Sequence, residues 1–267
     1  MDEIRVLVSG AGGRMGRTVV DAVLGADDME LVGGVDPAYP GTLLTELVPG
    51  APELVIGGEV AEAVEECEPD VMVDFTRPEA VMGNLRAALP AGVACVVGTT
   101  GFSPEAIDEV RALCDEWETP SIIAPNFSVG ATLMMMFAEQ AAEVMDYATI
   151  IERHHENKLD APSGTARMTA ERMAAARGAA FESPETAHFA MAGVRGGDYE
   201  GIQVFSVRMQ GVVANQEVVF GGLGETLKIE HVTAGRECYM PGVLMAIRRV
   251  RDSDGLVYGL QTLLVSG

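Results

Sequence analysis

The 267-residue chain carries 40 acidic against 18 basic residues, a formal net charge of −22, and 16 of those 18 basic residues are arginine. That balance excludes a nucleic-acid surface, which needs a basic stripe, and the lack of any run of about 18 apolar residues excludes a spanning helix. Acidic side chains with almost no lysine keep a protein hydrated in concentrated salt, where long-range repulsion is screened, so the composition predicts a salt-rich cytoplasm rather than an ordinary acidic protein.

The start, MDEIRVLVSG, has no basic region ahead of a cleavable apolar core, and four scattered cysteines (Cys67, Cys95, Cys114, Cys238) form no CxxC pair. Both features predict a soluble, non-exported, cytoplasmic protein with reduced thiols and no metal site.

In chain order, IRVLVSG (4–10) predicts a buried strand, RMGRTVVDAVLGA a helix and MELVGGVD (29–36) a second strand. After a looser segment come VIGG, the acidic helix EVAEAVEECE, the strand VMVDF (71–75) and a helix opened by Pro78. ACVVGTTG then predicts a strand, SPEAIDEVRALCDEWE a helix capped by Ser103 with Pro104 at its first position, and SIIAP (121–125) another strand. Strands alternating with helices imply a doubly wound parallel sheet.

Past Asn126 the pattern changes. A methionine-rich amphipathic helix, VGATLMMMFAEQAAEVM, precedes the strand ATIIERHH, a loop, and the helix ARMTAERMAAAR. GIQVFSVRMQG, VVANQEVVFGG and ETLKIEHVTAG then predict an antiparallel sheet, because glycine-bearing turns separate them. MPGVLMAIRRVRD predicts one more helix, and LVYGLQTLLV a short tail. The expected organisation is an α/β chain. Residues 1–127 form a Rossmann-like doubly wound domain onto which 238–267 fold back, and 128–237 form an α+β domain on a mainly antiparallel sheet.

The first strand runs into S-G-A-G-G-R-M-G, which places Gly10, Ala11, Gly12, Gly13, Arg14 and Met15 at the entry to a helix. Glycines there let the backbone turn tightly and approach a pyrophosphate seated on the free amides of the helix start. The G-x-G-x-x-x-G spacing is weak by itself. It gains force from Asp36, 20 residues after Gly16, at the end of the second strand, where a carboxylate holds ribose hydroxyls. No arginine follows Asp36 to pair a 2′-phosphate, so NADH is expected to be favoured over NADPH. Two further loops at strand carboxyl ends, Gly98-Thr99-Thr100-Gly101 and Ala124-Pro125-Asn126-Phe127, are candidates for the nicotinamide end of the cofactor; each is as readily a plain turn.

A second constellation is ERHHENKLDAPSGTARM (152–168), which holds two of the four histidines, His154 and His155, and one of the two lysines, Lys158. Pro162 disfavours helix at Ala161, and Ser163, Gly164 and Thr165 form a capped helix start whose open amides suit a substrate carboxylate. The histidine pair could otherwise be metal ligands or structural, but no cysteine or third histidine is near, so no metal is expected. Ser163 reads as a cap, since no G-x-S-x-G elbow surrounds it. An amine kept in a chain almost free of lysine points to chemistry.

On these motifs, GAGGRMGR (10–17), GTTGF (98–102), APNFSVG (124–130), HHxxKxDAPSGTA (154–166) and FGGxGETLxIxH (220–231), the sequence resembles the dihydrodipicolinate reductases over nearly its whole length. The resemblance implies NAD(P)H-dependent reduction of the cyclic product of dihydrodipicolinate synthase, in the diaminopimelate route to lysine. It implies that His154 exchanges a proton and Lys158 is the general acid, while His155, Gly164 and Thr165 hold the substrate carboxylates. Gly10 to Met15, Asp36, Gly98 to Thr100 and Ala124 to Phe127 would bind the cofactor. It further implies a homotetramer through the second-domain sheet.

Arg14, Arg153, Arg195 and Arg236 are candidate contributors to a basic cleft. The segment 178–200 matches the family pattern only at Arg195-Gly196-Gly197-Asp198, and Pro37 replaces the arginine common after the acid of the second strand. The rivals are another nicotinamide-dependent reductase, such as an aspartate or homoserine dehydrogenase, which would lack the His-His-Lys loop, and a dinucleotide-sensing regulator, which would need a DNA-binding module.

Overall fold

The structure is a computed structural model and describes residues 3–265. The described parts of Met1–Val129 and Tyr239–Gly267 form one compact unit and Gly130–Cys238 the other.

The first unit is built from β1 (Ile4–Ser9), α1 (Arg14–Leu24), β2 (Met29–Val35), α2 (Val60–Cys67), β3 (Val71–Asp74), α3 (Pro78–Ala88), β4 (Ala94–Val97), α4 (Pro104–Trp117) and β5 (Ser121–Ile123). After the second unit, with α5 (Val129–Ala142), β6 (Tyr147–His154), α6 (Gly164–Arg177), β7 (Gly197–Tyr199), β8 (Ile202–Arg208), β9 (Ala214–Gly222) and β10 (Glu225–Thr233), the chain returns through α7 (Met240–Val250), β11 (Leu256–Tyr258) and α8 (Gln261–Val265).

Six parallel strands in the order β11-β5-β4-β3-β1-β2 make the first sheet. Its strands are predominantly apolar because both faces are covered. Val6, Val8, Val71 and Val73 pack with residues of α1 and α7 on one face. Leu7 and Met72 pack with α2, α3 and α4 on the other. Pro104 opens α4, and the Ser103 side chain accepts from Ala106 N, so the expected cap is in place.

One expectation fails here: LVYGLQTLLV is no plain tail. Its first three residues are β11, which adds to β5 in register Leu256↔Ser121 to Tyr258↔Ile123, and α8 follows. A three-residue strand has too few positions to show a period, and only the open edge of β5 gives it a partner.

The second sheet has the order β10-β9-β6-β8-β7. Three of its pairings are antiparallel, and β6 with β8 is parallel. The glycine turns predict hairpins of β8 with β9 and of β9 with β10; β9/β10 is one, and β8 instead forms its hairpin with β7, a strand not expected in 178–200. β8 and β9, however, lie on either side of β6. The link between them therefore passes the end of β6, where Met209 N donates to His154 O at 3.1 Å and His155 N donates to Val213 O at 3.4 Å. α5 and α6 cover one face through Ala138, Ala142, Ala166, Ala170 and Met173, packed on Ile150, Val218 and Phe220.

Candidate active site

In the first unit the polar groups gather at the carboxyl ends of the strands, where open α/β sheets bind their ligands. Gly10 has φ +81°, and its amide and that of Ala11 both donate to Val35 O at 2.7 and 3.1 Å. Gly12 N donates to Asp36 Oδ2 at 3.0 Å, and Gly13 N to Gly10 O at 3.0 Å. Of the amides in the glycine turn, those of Arg14, Met15 and Gly16 meet no acceptor among the described residues. Gly13, the N-cap, has no side chain to occupy them. A helix start with open first-turn amides is an anion site, so the turn fits a pyrophosphate.

Asp36 is buried, and its Oδ1 accepts from Ala38 N at 3.0 Å. Tyr39 lies against Gly12, where a Cβ would come within 2.2 Å of its ring, and the Arg17 guanidinium stands 5.7 Å from the ring centroid. Arg17 Nε also donates to Gly12 O at 2.8 Å. The loop after β4 is fixed from below. Thr99 Oγ1, Thr76 Oγ1 and Thr76 N donate to Asp74 Oδ1 at 2.8, 2.8 and 3.0 Å, and Asn84 Nδ2 donates to Asp74 Oδ2 at 2.7 Å. Gly98 passes close to Phe75, whose ring would lie 2.1 Å from an added Cβ.

Not every expected cofactor residue presents its side chain. Thr99, Ala124 and Phe127 are buried, and Phe127 packs against Phe75 with centroids 5.9 Å apart. Thr100 is exposed, and Asn126 Oδ1 accepts from Ser128 N at 2.8 Å in a tight turn. These two loops can meet a ligand through backbone, through Thr100 and through the half-buried Pro125 and Asn126.

In the second unit, alternation along β6 puts Ala148, Ile150, Glu152 and His154 on the helix-covered face. Glu152 is fully buried. Its Oε2 lies 2.5 Å from His154 Nδ1. Its two oxygens take both Arg208 terminal nitrogens at 2.8 Å, and Oε1 also accepts from Ser163 N at 3.0 Å. Burial pushes the Glu152 carboxyl pKa up, but the hydrogen bonds from His154, Arg208, Ser206 and Ser163 outweigh it and bring it down to about 2. Arg208, shifted upward in turn by Glu152, also donates to Asp160 O at 2.6 Å.

Lys158 is half-buried and donates to Asp160 Oδ1 at 2.8 Å, and its ammonium holds the Asp160 carboxyl below the usual range. The Ala161–Pro162 peptide is cis. Ser163 Oγ caps α6 by accepting from Ala166 N at 3.1 Å. The amides of Gly164 and Thr165 meet no acceptor among the described residues, and Gly164 has open space around it. His155 is exposed.

Of the four arginines expected near a substrate, one is turned away from His154. Arg153 follows the alternation to the opposite face of the sheet, pairing with Glu217 at 3.1 Å and Glu230 at 3.7 Å. Arg195 donates to Pro184 O at 3.2 Å, and Arg236 is exposed in a short turn. Arg14, exposed, does begin α1. The guanidinium beside His154 is that of Arg208, which sequence reasoning missed along with Glu152 and Asp74. A usable signal for Glu152 was its place two residues before His154 on a strand, which puts both on one face. Lys228, the other lysine, bridges Glu217 at 2.9 Å and Glu230 at 3.0 Å in a surface cluster, so scarcity alone does not mark a lysine as chemical.

A doubly wound sheet with an open glycine turn, and a second unit that assembles imidazole, amine and an anion-ready helix start, define a two-unit dinucleotide-dependent oxidoreductase. The family models described as dihydrodipicolinate reductase, N-terminus, and dihydrodipicolinate reductase, C-terminus, match residues 4–127 and 130–264, and the chain belongs to that family. It is 46% identical over 267 residues to the 4-hydroxy-tetrahydrodipicolinate reductase of Desulfitobacterium hafniense (strain DSM 10664 / DCB-2), covering 99% of this chain and 100% of the relative. The Moorella thermoacetica reductase of the same name is 47% identical over 262 residues, 98% of each chain. Among solved structures, the dipicolinate-bound dihydrodipicolinate reductase from Paenisporosarcina sp. TG-14 superposes with a TM-score of 0.88 at 36% identity, covering 97% of this chain and 99% of that one.

Proposed function

We propose that the chain reduces 4-hydroxy-tetrahydrodipicolinate to tetrahydrodipicolinate in the diaminopimelate route to lysine. The family, its relatives and the dipicolinate held by one of them support a dicarboxylate substrate. The observation that carries the reading is the end of β6, where His154, Lys158 and the open amides of Gly164 and Thr165 lie on one short stretch of chain. A reduced nicotinamide dinucleotide, when bound at the α1 glycine turn, supplies the hydride.

The residues then have separate tasks. The α6 amides and Thr165 take one substrate carboxylate, with His155 beside them. Hydride arriving on a conjugated imine drives negative charge toward the ring nitrogen and the neighbouring carbon. The Lys158 ammonium stabilises that charge, and it and His154 supply the one proton that completes the reduction; the conjugated imine itself forms beforehand, when the substrate hydroxyl and a hydrogen of the adjacent ring carbon leave together as water.

Asp36 supports a preference for NADH. Its buried carboxylate, held by Gly12 N and Ala38 N, accepts ribose hydroxyls and repels a 2′-phosphate. Following reduced-nicotinamide absorbance with the synthase product as substrate should give a higher kcat/KM with NADH than with NADPH; the reverse order would sink this assignment.

The same proposal extends to assembly and setting, a homotetramer in a salt-rich cytoplasm. The second sheet's helix-free face carries Ile151, Phe205, Val207 and Val219, all half-buried, and the chain's charge is −22. Among the described residues no helix is long and apolar enough to cross a membrane. Light scattering behind size exclusion should report four copies in molar salt, with dissociation or unfolding as the ionic strength falls. A folded, active protein in dilute buffer would count against the salt adaptation, and a persistent monomer against the tetramer.

A further inference from the structure

We propose that Glu152 is a positioning residue for His154: its carboxylate keeps a ring proton on Nδ1 and leaves Nε2 as the atom that exchanges a proton with the substrate. The inference rests on the reading of His154 as a proton-transfer group. An ionised carboxylate only accepts hydrogen bonds, so the nitrogen 2.5 Å from Glu152 Oε2 must be the donor. That contact is the ring's one hydrogen bond among the described residues.

The carboxylate itself has no freedom to follow a different tautomer. The Arg208 fork takes both its oxygens at 2.8 Å, and Ser163 N binds Oε1 at 3.0 Å. An ion pair that served only to hold β6 to β8 would need Arg208 alone. Glu152 instead joins three elements: the end of β6, which bears the imidazole; β8, which supplies Arg208; and the first residue before α6, whose amides face the substrate carboxylate. One buried group thus sets the ring orientation and ties it to the anion site.

The other polar groups on this face leave that assignment intact. Ser206 on β8 also donates to Glu152. Gln216, opposite Glu152 on β9, donates through Nε2 to Thr169 Oγ1 at 2.8 Å. His231 lies one strand further, paired with Gln216, and burial pushes its imidazole pKa down. Lys158 and Asp160 pair with each other in the following loop. None of these bonds the His154 ring. A carboxylate that orients an imidazole this way fixes which nitrogen carries the mobile proton.

Selective 15N-histidine labelling tests this in the unmodified protein, which has only four histidines. In mildly alkaline buffer the single ring proton of His154 should reside on Nδ1; a proton on Nε2 would overturn the proposal. Glu152→Gln keeps the shape and removes the charge. Its kcat should fall by about tenfold or more with an unchanged KM for the dinucleotide, and the Nδ1-bound proton should no longer be fixed. A smaller fall in kcat, or an unaltered tautomer, overturns it. If the variant does not fold, the tautomer in the parent protein decides alone. His154→Ala separates the two readings: normal turnover there removes the role of His154, whereas a defective His154→Ala beside a competent Glu152→Gln removes only the positioning role.

Discussion

Replacing Lys158 or His154 with alanine should lower turnover by about 10²-fold or more, the range that general acid–base loss produces. On the proposed reading the two side chains act on the same charge at different points. Lys158 offers a compact ammonium with three donors, one of which is held by Asp160 Oδ1 at 2.8 Å. The remaining donors are free to approach the ring nitrogen as charge develops there. His154 Nδ1 is held by Glu152 Oε2 at 2.5 Å, and the proposal leaves Nε2 as its exchanging atom.

If both residues act mainly in the transition state, as proposed, kcat should carry most of the loss and the dinucleotide KM almost none. Lys158→Arg retains charge but loses the point-like donor, so it should restore little. Steady-state kinetics with the synthase product check this, and near-normal turnover in both alanine variants would refute the assignment of these residues.

Gly16→Ala should cost about 3 kcal/mol or more of stability, the upper end of what overpacking produces, and should abolish measurable dinucleotide binding. A Cβ at Gly16 would lie 1.9 Å from Gly10 O, 2.7 Å from Gly10 C and 2.9 Å from Ala11 Cα. Every one of these atoms is backbone, so no side chain can rotate away. Gly10 and Ala11 are themselves bonded to Val35 O, and displacing them opens the end of β1 against β2 as well as the turn proposed to hold the pyrophosphate.

The matched control is Gly83→Ala on the exposed side of α3, where an added Cβ meets nothing within 4 Å and helix propensity should add up to about 1 kcal/mol. Thermal unfolding and titration by reduced-nicotinamide fluorescence distinguish the two. A Gly16→Ala protein that melts and binds like its parent would dispose of the glycine-turn account.

Much of the first unit was legible because its signals are local. A strand buried on both faces carries mostly apolar side chains, so β1, β3 and β4 stand out as short apolar runs, Val6–Val8, Val71–Val73 and Ala94–Val97. Ser103 and Ser163 announce their helices because a hydroxyl before the first turn satisfies an otherwise open amide. The second sheet was legible only in outline. Its glycine turns revealed the β9/β10 hairpin but not the β7/β8 one, and they misplaced β9 beside β8; the parallel pairing of β6 with β8 depends on the α6 crossover, and nothing in the strand sequences encodes it. β11 escaped notice for the same kind of reason, since three residues become a strand only beside β5.

The candidate site divides along the same line. His154, Lys158, Gly164 and Thr165 fall within 12 residues, so the sequence alone identified the constellation and, through its motifs, the family. It did not identify Glu152 and Arg208 as partners, which are 56 positions apart, nor the turn of Arg153 to the opposite face. A buried carboxylate demands a cation and donors to replace its water, but that demand names no particular residue. Only the tertiary structure, by setting β8 beside β6 and the start of α6 against both, decides which arginine answers it and which nitrogen of His154 the carboxylate holds.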